Sequence, residues 1–391
     1  MAKHSKASAL GFGAILLAGP TIPIPGKGTK FEFMSTPALN TGAFGATFSG
    51  SDGTSQGIYQ SDSSNKLHVV VDDTTPLPDL SGKFTQLNTF QPLSVSDGDV
   101  AFEAWGSTGV QGIFVAGGGA VATIALAGDL CTSGGKQCIL QRPSLSGNGL
   151  TFARANYAST PVIQDALYRY SGASLKTLVD TSTPIPGGTG TFDNFGSFMF
   201  DNGDLAFIGQ RGSQAQQMGI YQTRQGAVER VADFSTIAPG TTQRFSQFWN
   251  IAFGRGQVVF SASYGPVPSS GNWPSGLYRS VNGVLDVLVD SQTPSPSGYG
   301  DFAGFGQASI STSGVAFVGF GPNPNPHAGV YFRDTLGNLT TFADDIRPFF
   351  GESLSNDIDL CPQALNGTQL ALAVPVKGVG TKIYLVYWPV E

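Results

Sequence analysis

Short apolar runs separated by polar turn residues follow one another along the whole chain, and they return with a long period. The stretch 191–240 shows the unit most clearly. Phe192 and Phe195 mark a first apolar segment, and Gly203-Asp-Leu-Ala-Phe207 a second. Gly219-Ile-Tyr221 marks a third, and Val228–Asp233 a fourth before a turn that contains Pro239. The third mark returns at Tyr59, Phe114, Tyr168, Tyr221, Tyr278, Tyr331 and Tyr384, at steps of 53 to 57 residues. The second returns in register at Phe48, Phe102, Phe152, Phe207, Phe260, Phe317 and, as an aliphatic variant, Leu372. Two marks that keep one period through seven copies define the organisation of the chain before any single residue is considered.

Each copy holds four runs rich in Val, Ile, Phe, Tyr and Thr, bounded by Gly, Asn, Asp, Ser and Pro, with no helical periodicity between them. Four short strands per unit predict a propeller blade. A β-sandwich has short strands too, but does not require the same aromatic at the same place in every unit. The expectation is an all-β, seven-bladed β-propeller of four-stranded blades, one domain over residues 1–391. Its blades fall at about 31–72, 84–129, 139–180, 191–233, 244–290, 301–344 and 357–388, the last completed by 13–19. The N-terminus carries that closure: Ala14–Gly26 lines up with Thr177–Gly187, a fourth strand and its turn, while the seventh copy stops after its third strand, at Trp388. Residues 1–19 also read as a secretory signal, with a basic start, an apolar stretch and small residues.

Composition narrows the partners. Only 12% of the 391 residues are charged, about half the usual share, and Gly is abundant at 53. The net charge of -6 argues against a nucleic-acid backbone as ligand, and the low charge density makes self-association easy. No stretch reaches the length of apolar chain that a membrane span needs. Three cysteines and three histidines without CxxC or HxxxH spacing give no zinc signature. Cys131 and Cys138 flank a Gly-rich loop that can bring them together, so a disulfide and an oxidising, extracytoplasmic compartment are expected, with two free thiols in a reducing cell as the alternative. Cys361 reads as a small buried side chain.

The fourth runs end in acids: Asp72, Asp180, Asp233, Asp290 and Asp344, with Asp129 a near match. Asp180, Asp233 and Asp290 could bind a cation such as calcium from one face. The competing role is capping of the Thr-Pro turns that follow, and no cofactor is the primary expectation. The loops after the second and fourth strands share a face. There the longest loops place Tyr264, Asn272, Trp273 and His327, a rim suited to sugar stacking or protein contact. Glu103 and Arg154 follow the second-strand aromatics of adjacent blades and suggest an ion pair between them, or an acid and a base lining a channel. His68 falls in an outer strand. No nucleophile elbow, phosphate loop, dinucleotide fingerprint, calcium loop or sialidase-type box is present.

The unit resembles the tandem repeats of secreted bacterial proteins described by an NxxGxxAF motif, through Ser96–Phe102, Asp201–Phe207 and Ser311–Phe317. Val95, Phe200 and Ile310 stand where that motif has Asn. The resemblance implies a propeller repeat and an extracellular setting, and it transfers no catalytic residue. The functional expectation is a non-enzymatic extracytoplasmic module that binds or assembles, with protein partners, further copies of itself or glycans. The alternatives are a carbohydrate-active propeller, lyase or hydrolase, and a lectin-like binder.

Overall fold

The computed structural model describes residues 13–388 apart from 41–44, 79, 89–92, 132–137, 148, 157–162, 213–216, 267–272 and 323–326. Seven antiparallel sheets follow one another along the chain. In blade 4 the strands Asn194–Asp201, Asp204–Arg211, Gln217–Arg224 and Ala227–Asp233 pair in simple succession. Blades 3, 5 and 6 repeat that order. In blades 1 and 2 the innermost strand is split, as Phe33–Met34 with Ala38–Leu39, and as Phe84–Leu87 with Ser94–Ser96. Among the described residues the one α-helix is a single turn, Ala127–Leu130, leading out of blade 2.

Blade 7 is closed by the other end of the chain. Gly13–Ala18 pairs antiparallel with Gly380–Tyr387, Leu16 opposite Tyr384 and Ala18 opposite Ile383. The turn that follows repeats the one after the other fourth strands: Pro23 bridges Lys30 as Pro184 bridges Thr191 and Pro294 bridges Asp301. The expected closure is therefore the observed topology, and the free edge that Gly380–Tyr387 would present is covered.

Apolar side chains on both faces of each sheet fill the seams between blades, and the periodic aromatics fill the blades themselves. In blade 4 Phe192, Phe207 and Tyr221 meet edge to face or stacked, with centroids 4.9 to 5.7 Å apart. Phe31, Phe48 and Tyr59 in blade 1 and Phe302, Phe317 and Tyr331 in blade 6 make the same trio. Blade 3 has no entry aromatic. There the Cys131–Cys138 disulfide, with Cα atoms 5.8 Å apart, links the end of blade 2 to the first strand of blade 3, where other blades carry a Thr-Pro sequence.

Around the axis, inner-strand side chains stitch neighbouring blades. Asn40 Oδ1 accepts the N–H of Gly98 (2.8 Å), Ser96 Oγ that of Gly147 (3.0 Å), Ser146 Oγ that of Asn202 (3.3 Å), and Asp201 Oδ2 that of Arg255 (2.7 Å). The Ser311 hydroxyl donates to the Gly367 carbonyl (3.2 Å), and the Asn366 amide donates to the Asn40 carbonyl (2.9 Å), which returns the series to blade 1. The remaining seam is bridged by Gln307 Nε2 donating to the Ile251 carbonyl (2.9 Å). These bonds satisfy backbone groups that the ends of the inner strands would otherwise bury unpaired.

Candidate functional site

The geometry of the axis follows from a fault repeated in the inner strands. In blade 4, Phe195 faces Gly209 and Phe198 faces Phe207, so two residues, Gly196 and Ser197, stand against one on the partner strand. Blade 5 does the same with Trp249 and Asn250, and blade 6 with Gly306 and Gln307. In blade 3 the extra residues are Arg142 and Pro143. A bulge of this kind re-aims the side chain it carries. Arg142, Ser197, Asn250 and Gln307 all line one cavity of about 220 Å3, together with Leu93, Ser94, Met199, Cys361 and Gln363.

Gln363 of blade 7 closes the far side of that cavity. Its Oε1 accepts from the Ser94 hydroxyl (2.9 Å) and the Val95 N–H (3.0 Å), and its Nε2 donates to the Leu145 carbonyl (3.2 Å). One side chain thus spans from blade 7 to blades 2 and 3. A second cavity, lined by Ser96, Ser146, Asp201, Arg255 and Asn366, lies towards the hairpin end and also touches Pro362 and Gln363. The axis holds two pockets separated by a hydrogen-bonded bridge. Cys361 lies in the first wall, fully buried, and burial pushes its thiol up to about 12, which leaves it a packing residue and not a nucleophile.

Behind the same wall, Glu103 is buried and accepts from the Asn88 amide (2.9 Å). Burial lifts its carboxyl from 4.5 to about 7, while the Asn88 amide and the Arg142 N–H pull it the other way. Between those pH values the folded protein keeps a proton that the unfolded chain has released, so stability falls as pH rises through the window. The loss is at most about 3 kcal/mol. Thermal melts at the two ends of the window should show it, and Glu103→Gln should flatten the slope; an equal slope in the variant would assign the dependence elsewhere.

The expected Glu103–Arg154 pair does not form. Arg154 Nε instead donates to Asp165 (2.7 Å) within its own blade, and its guanidinium lies over the Tyr168 ring. Arg154 is satisfied within its own blade, and the cation of blade 3 that faces Glu103 is Arg142, whose N–H and charge both act on the carboxyl.

The fourth-strand acids are engaged in their turns. Asp180 Oδ1 accepts from the Ser182 N–H (2.9 Å) and hydroxyl (2.6 Å), while its own N–H donates to Thr183 Oγ1 (3.0 Å). The Ser182 hydroxyl, followed by the turn N–H groups, holds the Asp180 carboxyl below the usual range against the pull of burial. Asp233 is bound the same way by Ser235 and Thr236, and Asp290 by the Gln292 N–H and the Thr293 hydroxyl. The three stand in three different blades. Among the described residues, no group of three or more His, Cys, Asp or Glu is placed to hold a metal ion.

The rim residues differ in exposure. Tyr264 is buried, Trp273 is half-buried, and Asn272 lies outside the described residues. His327 is half-buried like Trp273. Its Nδ1 lies 3.3 Å from Asp345, and its ring stacks on Tyr299 with centroids 5.6 Å apart. Tyr299, absent from the sequence expectation, in turn accepts from the Tyr331 hydroxyl (2.9 Å). His68 is exposed and paired with Asp62 (2.7 Å).

Sequence reasoning missed the axial residues, yet they carry a signal. Arg142, Ser197, Asn250 and Gln307 each stand ten places before the second-strand aromatic of their blade, Phe152, Phe207, Phe260 and Phe317. A polar residue fixed at that place in otherwise apolar strands marks the bulge.

Solved structures share this fold at low identity. The acylaminoacyl peptidase of Pyrococcus horikoshii is 11% identical with a TM-score of 0.54, over 90% of this chain and 50% of its own. A prolyl endopeptidase is 10% identical with a TM-score of 0.51, over 91% and 47%. The polysaccharide lyase Uly1 is 10% identical with a TM-score of 0.49, over 97% and 98%. The chain spans about half the length of these peptidases, and at such identity the likeness is one of fold alone. No curated protein matches the sequence. Among the described residues, no helix is long and apolar enough to cross a membrane. The match that reaches the sequence itself runs over residues 12–346, from the closing strand to the end of blade 6, and by it the chain belongs to a family of unknown function, DUF7453.

Proposed function

We propose that this protein is a non-catalytic binding module that works in an oxidising, extracytoplasmic compartment. One observation carries the reading: polar side chains from four consecutive blades are turned by strand bulges into a single axial cavity, and none of the described residues lining it is a carboxylate. Hydrolysis of a glycosidic bond calls for two convergent carboxyl groups, and lyase chemistry for a positioned base. The cavity offers a guanidinium, amides and hydroxyls instead, which hold a ligand without transforming it. The Cys131–Cys138 disulfide supports the compartment.

Incubation with a panel of neutral and acidic polysaccharides, read by reducing-end release and by unsaturated-product absorbance, tests the proposal. The expected result is retention of ligand without turnover. Product formation at ordinary enzyme rates, lost on substitution of an axial residue, would overturn it in favour of a carbohydrate-active propeller.

A further inference from the structure

We propose that the axial pocket lined by Arg142 binds a small organic carboxylate of sugar-acid size, with Arg142 as its anchor and Ser197, Asn250 and Gln307 as its hydroxyl-reading groups. The proposal rests on the binding-module reading and names the ligand class of that same pocket.

The bulges supply the first argument. The residues that follow Ser197, Asn250 and Gln307 in the same strands, Phe198, Ile251 and Ala308, are buried. A strand that served packing alone would need no extra residue, and an extra residue that served packing alone would be apolar. Here four blades in a row deliver a polar group to one level of the axis. Bulges of this kind are concentrated beside active and binding sites, where they re-aim a side chain.

The backbone of Arg142 supplies the second. Its φ is 55°, in the left-handed region. The other described non-glycine residues with positive φ lie in turns outside the strands; Arg142 alone lies within one, Cys138–Ser146. Pro143 disfavours the right-handed helical region at Arg142, and the buried Glu103 carboxylate takes the Arg142 N–H. A left-handed residue in a strand is ordinarily glycine or asparagine, and a long cationic side chain there is held against backbone strain. Such strain persists where the surroundings over-determine it, and it gathers at ligand clamps.

Charge and size select the ligand. Among the described residues lining this pocket Arg142 is the one cation and none is acidic. A guanidinium matches the two oxygens of a carboxylate in a paired fork. A phosphate dianion would need a second cation, which none of the described lining residues offers. A volume of about 220 Å3, floored by the Gln363 bridge to Ser94 and Leu145, suits one small molecule and stops a polymer from threading through. Leu93, Met199 and Pro362 give an apolar wall for the body of the ligand.

Titration calorimetry with glucuronate, and with glucose as the uncharged counterpart, tests this on the full chain. Glucuronate should saturate one site, and glucose should bind at least about tenfold more weakly. Arg142→Asn keeps a residue that tolerates the left-handed backbone, so the variant should fold with an unchanged or higher melting temperature. Its glucuronate affinity should fall at least about tenfold, to the level of glucose. Gln307→Ala should weaken both sugars and keep the preference for the acid. Equal binding of glucose and glucuronate, unaffected by Arg142→Asn, would overturn the carboxylate anchor and leave the binding-module reading standing. No heat from glucuronate, malate or acetate would overturn the anchor as well. Consumption of the probe, by contrast, would overturn the non-catalytic reading.

Discussion

A chain lacking residues 1–19 loses the cooperative unfolding transition of the intact protein and elutes as aggregate. The closing strand Gly13–Ala18 is hydrogen-bonded along its length to Gly380–Tyr387, and its removal exposes that strand as a bare edge. Leu17, Ala18 and Ile24 are buried in one cluster with Phe31, Tyr59, Ile383 and Leu385, so the deletion also uncovers the seam between blades 7 and 1. Burying a side chain such as Leu17 contributes about 1.5–3 kcal/mol, and Ile24, which stays behind, loses the cover of that cluster. Adding the strand pairing, the loss approaches the whole of a typical stability of about 5–15 kcal/mol. A ring has no redundant blade, because each seam is held from two sides. Calorimetry and size-exclusion chromatography on the truncated chain decide the matter. A melting curve identical to the intact protein would mean that the strand is not what closes the ring. A point variant, Leu17→Asp, tests the same contact without shortening the chain and should lower the melting temperature in the same direction.

That closure was legible in the sequence because it depends on a pattern. Strand and turn repeat as Thr177–Gly187 and again as Ala14–Gly26, and a seventh copy short of one strand leaves one place for the extra copy to go. The trios of aromatics were legible for the same reason: a residue that must fill the same space in every blade returns at the same step. What a one-dimensional pattern does not hold is direction. Tyr264 and Trp273 read as rim residues of one long loop, but Tyr264 ends the strand Gln257–Tyr264 and is buried. Glu103 and Arg154 occupy matching places in adjacent blades and read as partners, yet Asp165 lies nearer to Arg154. The axial residues were hidden for a related reason. Strict alternation assigns Ser197 and Asn250 to a face, and only the bulge moves them off it and into the cavity. The residues that stitch the blades, Ser96, Asp201 and Ser311, stand one place after the position where the repeat motif carries its Asn. The pattern marked the neighbourhood, and the register of the inner strand decided which residue does the work.

Replacement of Phe192 by Ala should cost about 3–5 kcal/mol, the largest loss expected from a single truncation in blade 4. The ring is fully buried and lies 4.9 Å from Tyr221, 5.5 Å from Phe195 and 5.6 Å from Phe207, centroid to centroid. Its edge-to-face contact with Tyr221 adds about 0.5–1.5 kcal/mol beyond the area buried. The cavity left behind cannot collapse, since both flanking strands are fixed by ladders on either side and the Thr-Pro turn above is tied by the Phe192 N–H to the Thr183 carbonyl (3.2 Å). Phe33→Ala is the contrasting case. Phe33 sits in an innermost strand, but it is 68% exposed, so its truncation should change stability by less than about 0.5 kcal/mol. Urea unfolding of the two variants against the parent measures the difference at matched chemistry. If Phe192→Ala and Phe33→Ala lost the same stability, the aromatic trio would be ornament to a fold held by its backbone ladders. If Phe192→Ala alone moves the midpoint, the periodic aromatics are what fixes each blade as a blade, and the axial side chains inherit their placement from that rigidity.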